Sequence, residues 1–247
     1  MNWVKTFYTK QNEWMGHVGD IEEHHREKAA LINELAGSGP KRVLECGAGR
    51  GESAAAAVEL GHSVVAIDIT PVAVENARRL AEQMEPNKMT VIEGDFYTLE
   101  LNRTFDVVCY WDGFGVGSDQ DQRRLLNRIA NWLEPNGCAL IDIYTPWHAA
   151  SVAGTGWQVG QAMRQYDFDA DACCWLDSWW PIDDKSQTVT QRLRCYGPAD
   201  LRMLLAGTGL RLNSYKSGGY FDWELMTYLA DAPLGKSMFY TAKLVLV

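Results

Sequence analysis

The stretch Val43-Leu44-Glu45-Cys46-Gly47-Ala48-Gly49-Arg50-Gly51 constrains this chain more than any other. A short apolar run enters it, and an alanine-rich run suited to a helix, Glu52 to Leu60, leaves it. Strand, glycine turn and helix in that order point backbone N–H groups and the positive end of a helix dipole at a ligand. Glycines at alternate positions let the backbone approach that ligand with no β-carbon in the way.

The chain around it keeps the same rhythm. Strand 41–46 leads to helix 52–60, which Gly61 ends. Strand 63–68 leads to Thr70-Pro71, an N-cap followed by proline in the first turn, and a helix to about Met84. Strand 89–93 is followed by Phe105-Asp106-Val107-Val108-Cys109-Tyr110, a near-continuous apolar run typical of a strand buried on both faces. A helix over 119–133, a turn at Pro135-Asn136-Gly137 and a strand over 139–144 complete the series. This pattern predicts an α/β fold, a doubly wound sheet with helices on both faces. Ligands of such sheets sit beyond the carboxyl ends of the strands.

The ligand is narrowed by what stands in and beside the loop. The dinucleotide fingerprint needs glycine at position 52, where this chain has Glu52. Glu45, where strand meets turn, repels a pyrophosphate and attracts an ammonium or sulfonium; S-adenosylmethionine carries both. Asp68 ends the second strand, placed for two ribose hydroxyls. Glu93-Gly94-Asp95-Phe96 follows the third strand and puts an acid where an adenine amino group would lie.

Together these residues resemble the class I S-adenosylmethionine-dependent methyltransferases, in particular their small-molecule branch. Glu45 to Gly51 matches the acidic-x-Gly-x-Gly-x-Gly motif, Asp68 the ribose acid and Gly94-Asp95 the adenine-side acid. The resemblance covers residues 40 to 145 well and the C-terminal third weakly. It implies a Rossmann-like, seven-stranded, mainly parallel sheet with an antiparallel β insertion after strand 5. It also implies Glu45 at the methionine amino end, Gly47, Ala48 and Gly49 shaping the turn, Asp68 on the ribose, and Ile69, Asp95 and Phe96 around adenine. Tyr110, at the end of the fourth strand, joins the cofactor-binding candidates. The expected product is S-adenosylhomocysteine.

On the same reading the single domain divides into an N-terminal helical cap (1–39), the cofactor-binding core (40–145), an acceptor-binding cover (146–196) and a C-terminal helix and hairpin that complete the sheet (197–247). In the cap, Asp20 reads as an N-cap opening a helix to about Ala36, stopped by Gly37-Ser38-Gly39-Pro40. Tyr8 and Trp14 are either cofactor contacts or packing between this segment and the sheet. His17, His24 and His25 read as surface residues. In the cover, 164–168 and 188–195 alternate as antiparallel strands do, with turns at 169–171 and 183–185. This segment, which holds Trp157, Trp175, Trp179 and Trp180, is a candidate acceptor cover and a candidate homodimer contact.

The chain carries 32 acidic against 23 basic side chains, a formal charge of −9, which disfavours a nucleic-acid substrate. No apolar run reaches the roughly 18–20 residues of a membrane span, and the N-terminus lacks a signal-peptide layout, so the expectation is a cytoplasmic protein. The six cysteines form no C-x-x-C zinc pair. Cys46, Cys109 and Cys138 read as core residues, while Cys173-Cys174 with Cys195 leave a redox bridge open.

Methyl transfer needs donor and acceptor aligned and water excluded, with a general base only for an acceptor that arrives protonated. Two sets follow the fourth and fifth strands. In the first, Asp112 is a candidate to hold an ammonium or take a proton, or simply a turn aspartate; Trp111 and Phe114 are candidate walls of an acceptor pocket. In the second, Tyr144 and Trp147 are further acceptor contacts, and His148 is either the general base or a solvated loop histidine. Asp142-Ile143 stands where the resembled magnesium-dependent catechol enzymes have Asp-Asn, so a metal-free reaction is expected. Arg164, Arg192 and Arg194 read equally as solvated strand faces or as contacts to an acidic acceptor. A nicotinamide-dependent oxidoreductase and a methyltransferase-like protein that binds cofactor without turnover are the alternatives.

Overall fold

A computed structural model describes residues 2–15, 19–222, 225, 227–230 and 232–247; His17 lies outside them. Helix α1 (Asn2–Met15) and helix α2 (Glu23–Ala36) precede a regular alternation. It runs β1 (Arg42–Cys46), α3 (Glu52–Glu59), β2 (Ser63–Asp68), α4 (Pro71–Gln83), β3 (Met89–Glu93), β4 (Phe105–Tyr110), α5 (Asp119–Trp132) and β5 (Leu133–Tyr144). The short helix α6 (Pro146–Ser151) leads into β6 (Gly156–Val159), β7 (Ala162–Asp169), β8 (Cys174–Pro181) and β9 (Val189–Arg194). Then come α7 (Pro198–Leu205), β10 (Leu210–Ser217), the hairpin β11 (Tyr220–Asp222) and β12 (Thr227–Leu229), and β13 (Phe239–Leu246).

Seven strands form the main sheet in the order β10-β13-β5-β4-β1-β2-β3. From β5 to β3 the pairs are parallel, whereas β13 runs antiparallel to both β5 and β10. The expected doubly wound sheet and its closing antiparallel pair are therefore present. Alternation along β1 sends Leu44 and Cys46 to a core shared with Leu125, Leu126 and Ile129 of α5 and Leu201 of α7. Val43 faces the opposite core, with Ala29 and Ile32 of α2 and the buried run Ala54 to Ala57 of α3. Four consecutive alanines let α3 lie close against the sheet, which brings its N-terminus up to the glycine turn. The antiparallel insertion is a four-stranded sheet, β6-β7-β8-β9.

Three local expectations change. Helix α2 is capped by Glu22, not Asp20: the Glu22 N–H donates to His25 Nδ1 at 3.0 Å, while Asp20 pairs with Arg79 at 3.2 Å. The Glu22 carbonyl accepts from the N–H groups of His25 (3.1 Å) and Arg26 (3.3 Å), so the first turn starts there. Strand β5 begins at Leu133, with Pro135-Asn136-Gly137 inside a register shift against β4 between Phe105 and Val107. The segment after Tyr144 is helical, because Thr145 and Pro146 start a helix there. All six cysteines are free.

His62, between α3 and β2, is fully buried, and neither ring nitrogen has a hydrogen-bond partner among the described residues. Burial, and secondarily the Lys41 charge, lower its pKa from the ordinary value. The folded state therefore binds this proton less readily than the unfolded chain, so its contribution is complete above the unfolded pKa and is lost as pH falls. Replacing His62 by Leu is expected to raise stability by about 1–3 kcal/mol. It should also flatten the acid side of the profile, measured by urea unfolding between pH 5 and pH 8.

Candidate active site

The glycine turn adopts the conformation its composition allows. Gly47, Gly49 and Gly51 all have positive φ (61°, 55° and 85°), and a β-carbon on Gly51 would lie 2.7 Å from Ala77 Cβ. The turn is tied to the end of β2 by Asp68, whose carboxylate accepts from the N–H of Gly49 and of Thr70, each at 2.8 Å. Burial raises the Asp68 pKa, and those backbone donors oppose the shift. The Thr70 hydroxyl and the Ile69 N–H oppose it as well.

Glu45 is buried with 4% of its surface exposed and has no cation or hydrogen-bond donor beside it among the described residues. Burial first, then the charges of Glu52 and Asp68, raise its carboxyl pKa to about 8. An unpartnered buried carboxylate is costly in an isolated fold. A cationic ligand is the partner its surroundings lack.

Above the turn lies a cavity of about 280 Å³. Gly47, Gly49, Arg50 and Glu52 form its floor, and Asp68, Ile69 and Thr70 line the β2 side. Asp95, Phe96 and Tyr97 follow β3, and Tyr110, Asp112 and Val116 follow β4. Val4, Tyr8, Gln11, Asn12 and Met15 of α1 close it. Helix α1 is held there from two sides. Arg50 donates to the Asn12 side-chain oxygen at 2.7 Å and to its carbonyl at 3.2 Å. On the other side Gln191 of β9 donates to the Tyr8 hydroxyl, and Phe7 is buried against Ala162 and Trp179.

Asp112, just past the end of β4, lines this cavity. Its carboxylate keeps accessible surface, yet enclosing protein raises its pKa, opposed chiefly by the Tyr144 hydroxyl. That hydroxyl donates to Asp112 Oδ1 at 3.0 Å. The Tyr144 ring packs edge-on against Trp175 of the insertion, centroids 4.9 Å apart. Beneath them Asp142 bonds Lys28 of α2 and Thr241 of β13, so it is committed to holding α2 to the sheet.

Of the predicted cofactor residues, Tyr8, Gly47, Gly49, Asp68, Ile69, Asp95, Phe96 and Tyr110 line the cavity together with Asp112. Glu45 and Ala48 lie behind the turn, each buried. The remaining side chains lie elsewhere. Trp14 packs against the cluster of Phe7, Ala162 and Trp179. Phe114 is wholly buried between Tyr110 and Tyr196, and Trp111 lies under the Lys28 ammonium. Trp147 packs near Gly197, and its indole nitrogen is unpartnered. His148 is half-buried against Trp175 (5.7 Å) on α6 and does not line the cavity; burial lowers its pKa. The α1 contacts Val4, Gln11, Asn12 and Met15 were not anticipated. Their spacing with Tyr8 (4, 8, 11, 12 and 15) is one face of a helix, and that periodicity was the available signal.

The methyltransferase domain family matches residues 43–137. The chain is 34% identical over 110 residues to the cypemycin N-terminal methyltransferase of a Streptomyces species, 43% of each protein being covered. It is 29% identical over 144 residues to glycine N-methyltransferase of Rattus norvegicus, covering 52% of this chain and 49% of that one. The chain thus spans less than half the length of these curated relatives. Among solved structures, the CcbJ methyltransferase from Streptomyces caelestis superposes with a TM-score of 0.71 at 20% identity, covering 94% of this chain and 92% of that one. A Burkholderia thailandensis 1,6-didemethyltoxoflavin-N1-methyltransferase, with its namesake ligand and S-adenosylhomocysteine bound, gives a TM-score of 0.64 at 17% identity, covering 100% and 88%. Residues 43–137 thus match a methyltransferase domain, and the chain has the fold of these S-adenosylmethionine-dependent methyltransferases.

Proposed function

We propose that this protein transfers a methyl group from S-adenosylmethionine to the nitrogen of a small amine. The observation that carries the reading is Asp112: a carboxylate lining the cavity whose one hydrogen-bond partner among the described residues is a phenol hydroxyl. The cavity residues fit the cofactor. Glu45 has no cation beside it among the described residues, the positive-φ glycines form a cradle, and Asp68 lines the cavity next to them. Bound there, the cofactor supplies an electrophilic methyl group on a sulfonium.

The chain's own residues do the rest. Asp112, held by Tyr144, draws an ammonium to the methyl end and takes the proton the nitrogen must lose to expose its lone pair. Its raised pKa brings its basicity closer to that of the amine. Helix α1, with Tyr8 against Gln191, closes the chamber and excludes water. The N-methyltransferase relatives support nitrogen as the target.

The reading is tested by radiolabelled methyl transfer over a panel of amines, phenols and alcohols. Amines are expected to be labelled, and Asp112→Asn is expected to lower kcat by about 100-fold or more with cofactor affinity unchanged. Labelling of phenols alone would move the target to oxygen; tight cofactor binding with no transfer would leave a binding protein. Asp68→Ala is expected to weaken S-adenosylhomocysteine binding by about tenfold or more, read by calorimetry; unchanged affinity would remove the ribose assignment.

A further inference from the structure

The insertion packs on Tyr144, the hydrogen-bond partner of Asp112, and carries a charge arrangement the proposed reaction does not use. Arg164 of β7 donates through Nε and Nη2 to the two oxygens of Asp177 on β8, at 2.9 and 2.7 Å. Asp177 is 4% exposed. The guanidinium carbon lies 4.6 Å from the Tyr166 ring centroid, 4.8 Å from that of Trp179 and 5.5 Å from that of Trp157. A fork and three rings fix the plane of this cation. Yet 26% of the side chain stays accessible, and Nη1 has no partner among the described residues.

Burying an ion pair seldom stabilises a fold relative to an apolar pair of the same size. Orienting a guanidinium for a second anion is the use such a pair serves well. The place agrees with that use. Tyr166 packs on Trp175 at 4.6 Å, Trp175 on Tyr144 at 4.9 Å, and Tyr144 bonds Asp112. A fixed cation on the cover and a fixed carboxylate on the sheet thus stand at the two ends of one aromatic stack.

We infer that the acceptor is a zwitterion, an amine that also bears a carboxylate, with the ammonium on Asp112 and the carboxylate on the free edge of Arg164. The inference rests on the amine reading above and adds to it the anionic end and the residue that selects it. Arg164 determines specificity, and Asp177 positions it.

The test uses the full chain loaded with S-adenosylhomocysteine and calorimetric titration with matched pairs. The pairs are α-, β- and γ-amino acids and phenylalanine, each against its carboxamide. The intact protein is expected to prefer the acid of at least one pair by tenfold or more. Arg164→Met should erase that preference while S-adenosylhomocysteine affinity holds, and Arg164→Lys, which keeps charge without the fork, should retain part of it. A preference that survives Arg164→Met overturns the inference. Should Arg164→Met fail to fold, the intact protein decides: amines bound with no preference for the acid overturn this inference alone. Amines that all fail to bind a protein still binding S-adenosylhomocysteine overturn the amine reading and this one with it.

Discussion

Glu45→Gln is expected to weaken S-adenosylhomocysteine binding by about 10- to 150-fold, the equivalent of one charge-assisted hydrogen bond of roughly 1.5–3 kcal/mol. The wild-type carboxyl, with a pKa of about 8, holds its proton at neutral pH in the free protein. An arriving ammonium favours the carboxylate, so binding releases that proton. Affinity should therefore rise between about pH 6 and pH 8 and then level off, and the glutamine variant should lose this rise. Calorimetry in two buffers of different ionisation enthalpy reads the proton release directly. The free protein should respond in the opposite sense. Because the folded pKa lies above the ordinary 4.5, the contribution of Glu45 to stability is complete below about pH 4.5 and is lost as pH rises through about 8. Glu45→Gln should flatten that decline and leave the ligand-free protein at least as stable at pH 8, measured by urea unfolding. Weaker binding with equal or greater stability separates a ligand-holding carboxylate from a structural one.

Lys28→Met should be the most damaging single change outside the core, at about 3–5 kcal/mol. Asp142 is 4% exposed and bonded to the Lys28 ammonium and the Thr241 hydroxyl, and burial still raises its pKa. The pair therefore offsets only part of its own desolvation. Removing the ammonium leaves the carboxylate with a hydroxyl alone and frees α2 from the end of β5. The double variant Lys28→Met with Asp142→Leu removes both charges and is expected to recover most of the loss. Chemical denaturation of the two single variants and the double checks the cycle. A double variant as unstable as the sum of the singles would mean that the pair does not act as a unit.

That the glycine turn, Asp68 and Asp95 border one cavity was legible because its determinants are local. A strand, a glycine turn and a helix occupy consecutive residues, and Asp68 and Asp95 each close or follow the next strand in line. A parallel sheet brings such ends to one edge whatever the side chains between them do. The acceptor half was read unevenly for the opposite reason. Asp112, Tyr144 and Arg164 come from β-strand ends and an insertion that meet only in three dimensions. Trp111, Phe114, Trp147 and His148 sit beside strand ends in sequence, but packing directs them into clefts between elements and out of the cavity. Neighbours along a chain point to different sides of an element.

The sequence by itself determined the alternation of strands and helices, the sheet that alternation demands and the edge of it where a ligand sits, because each depends on periodicity and on residues close in the chain. Tertiary structure alone decided which carboxylates keep a partner. Asp142 and Asp177 are neutralised by Lys28 and Arg164, 114 and 13 residues away, while among the described residues Glu45 is left with none and Asp112 with a hydroxyl. Charge pairing acts over ångströms in space and is blind to separation along the chain, so the acids available for chemistry emerged only once the chain had folded.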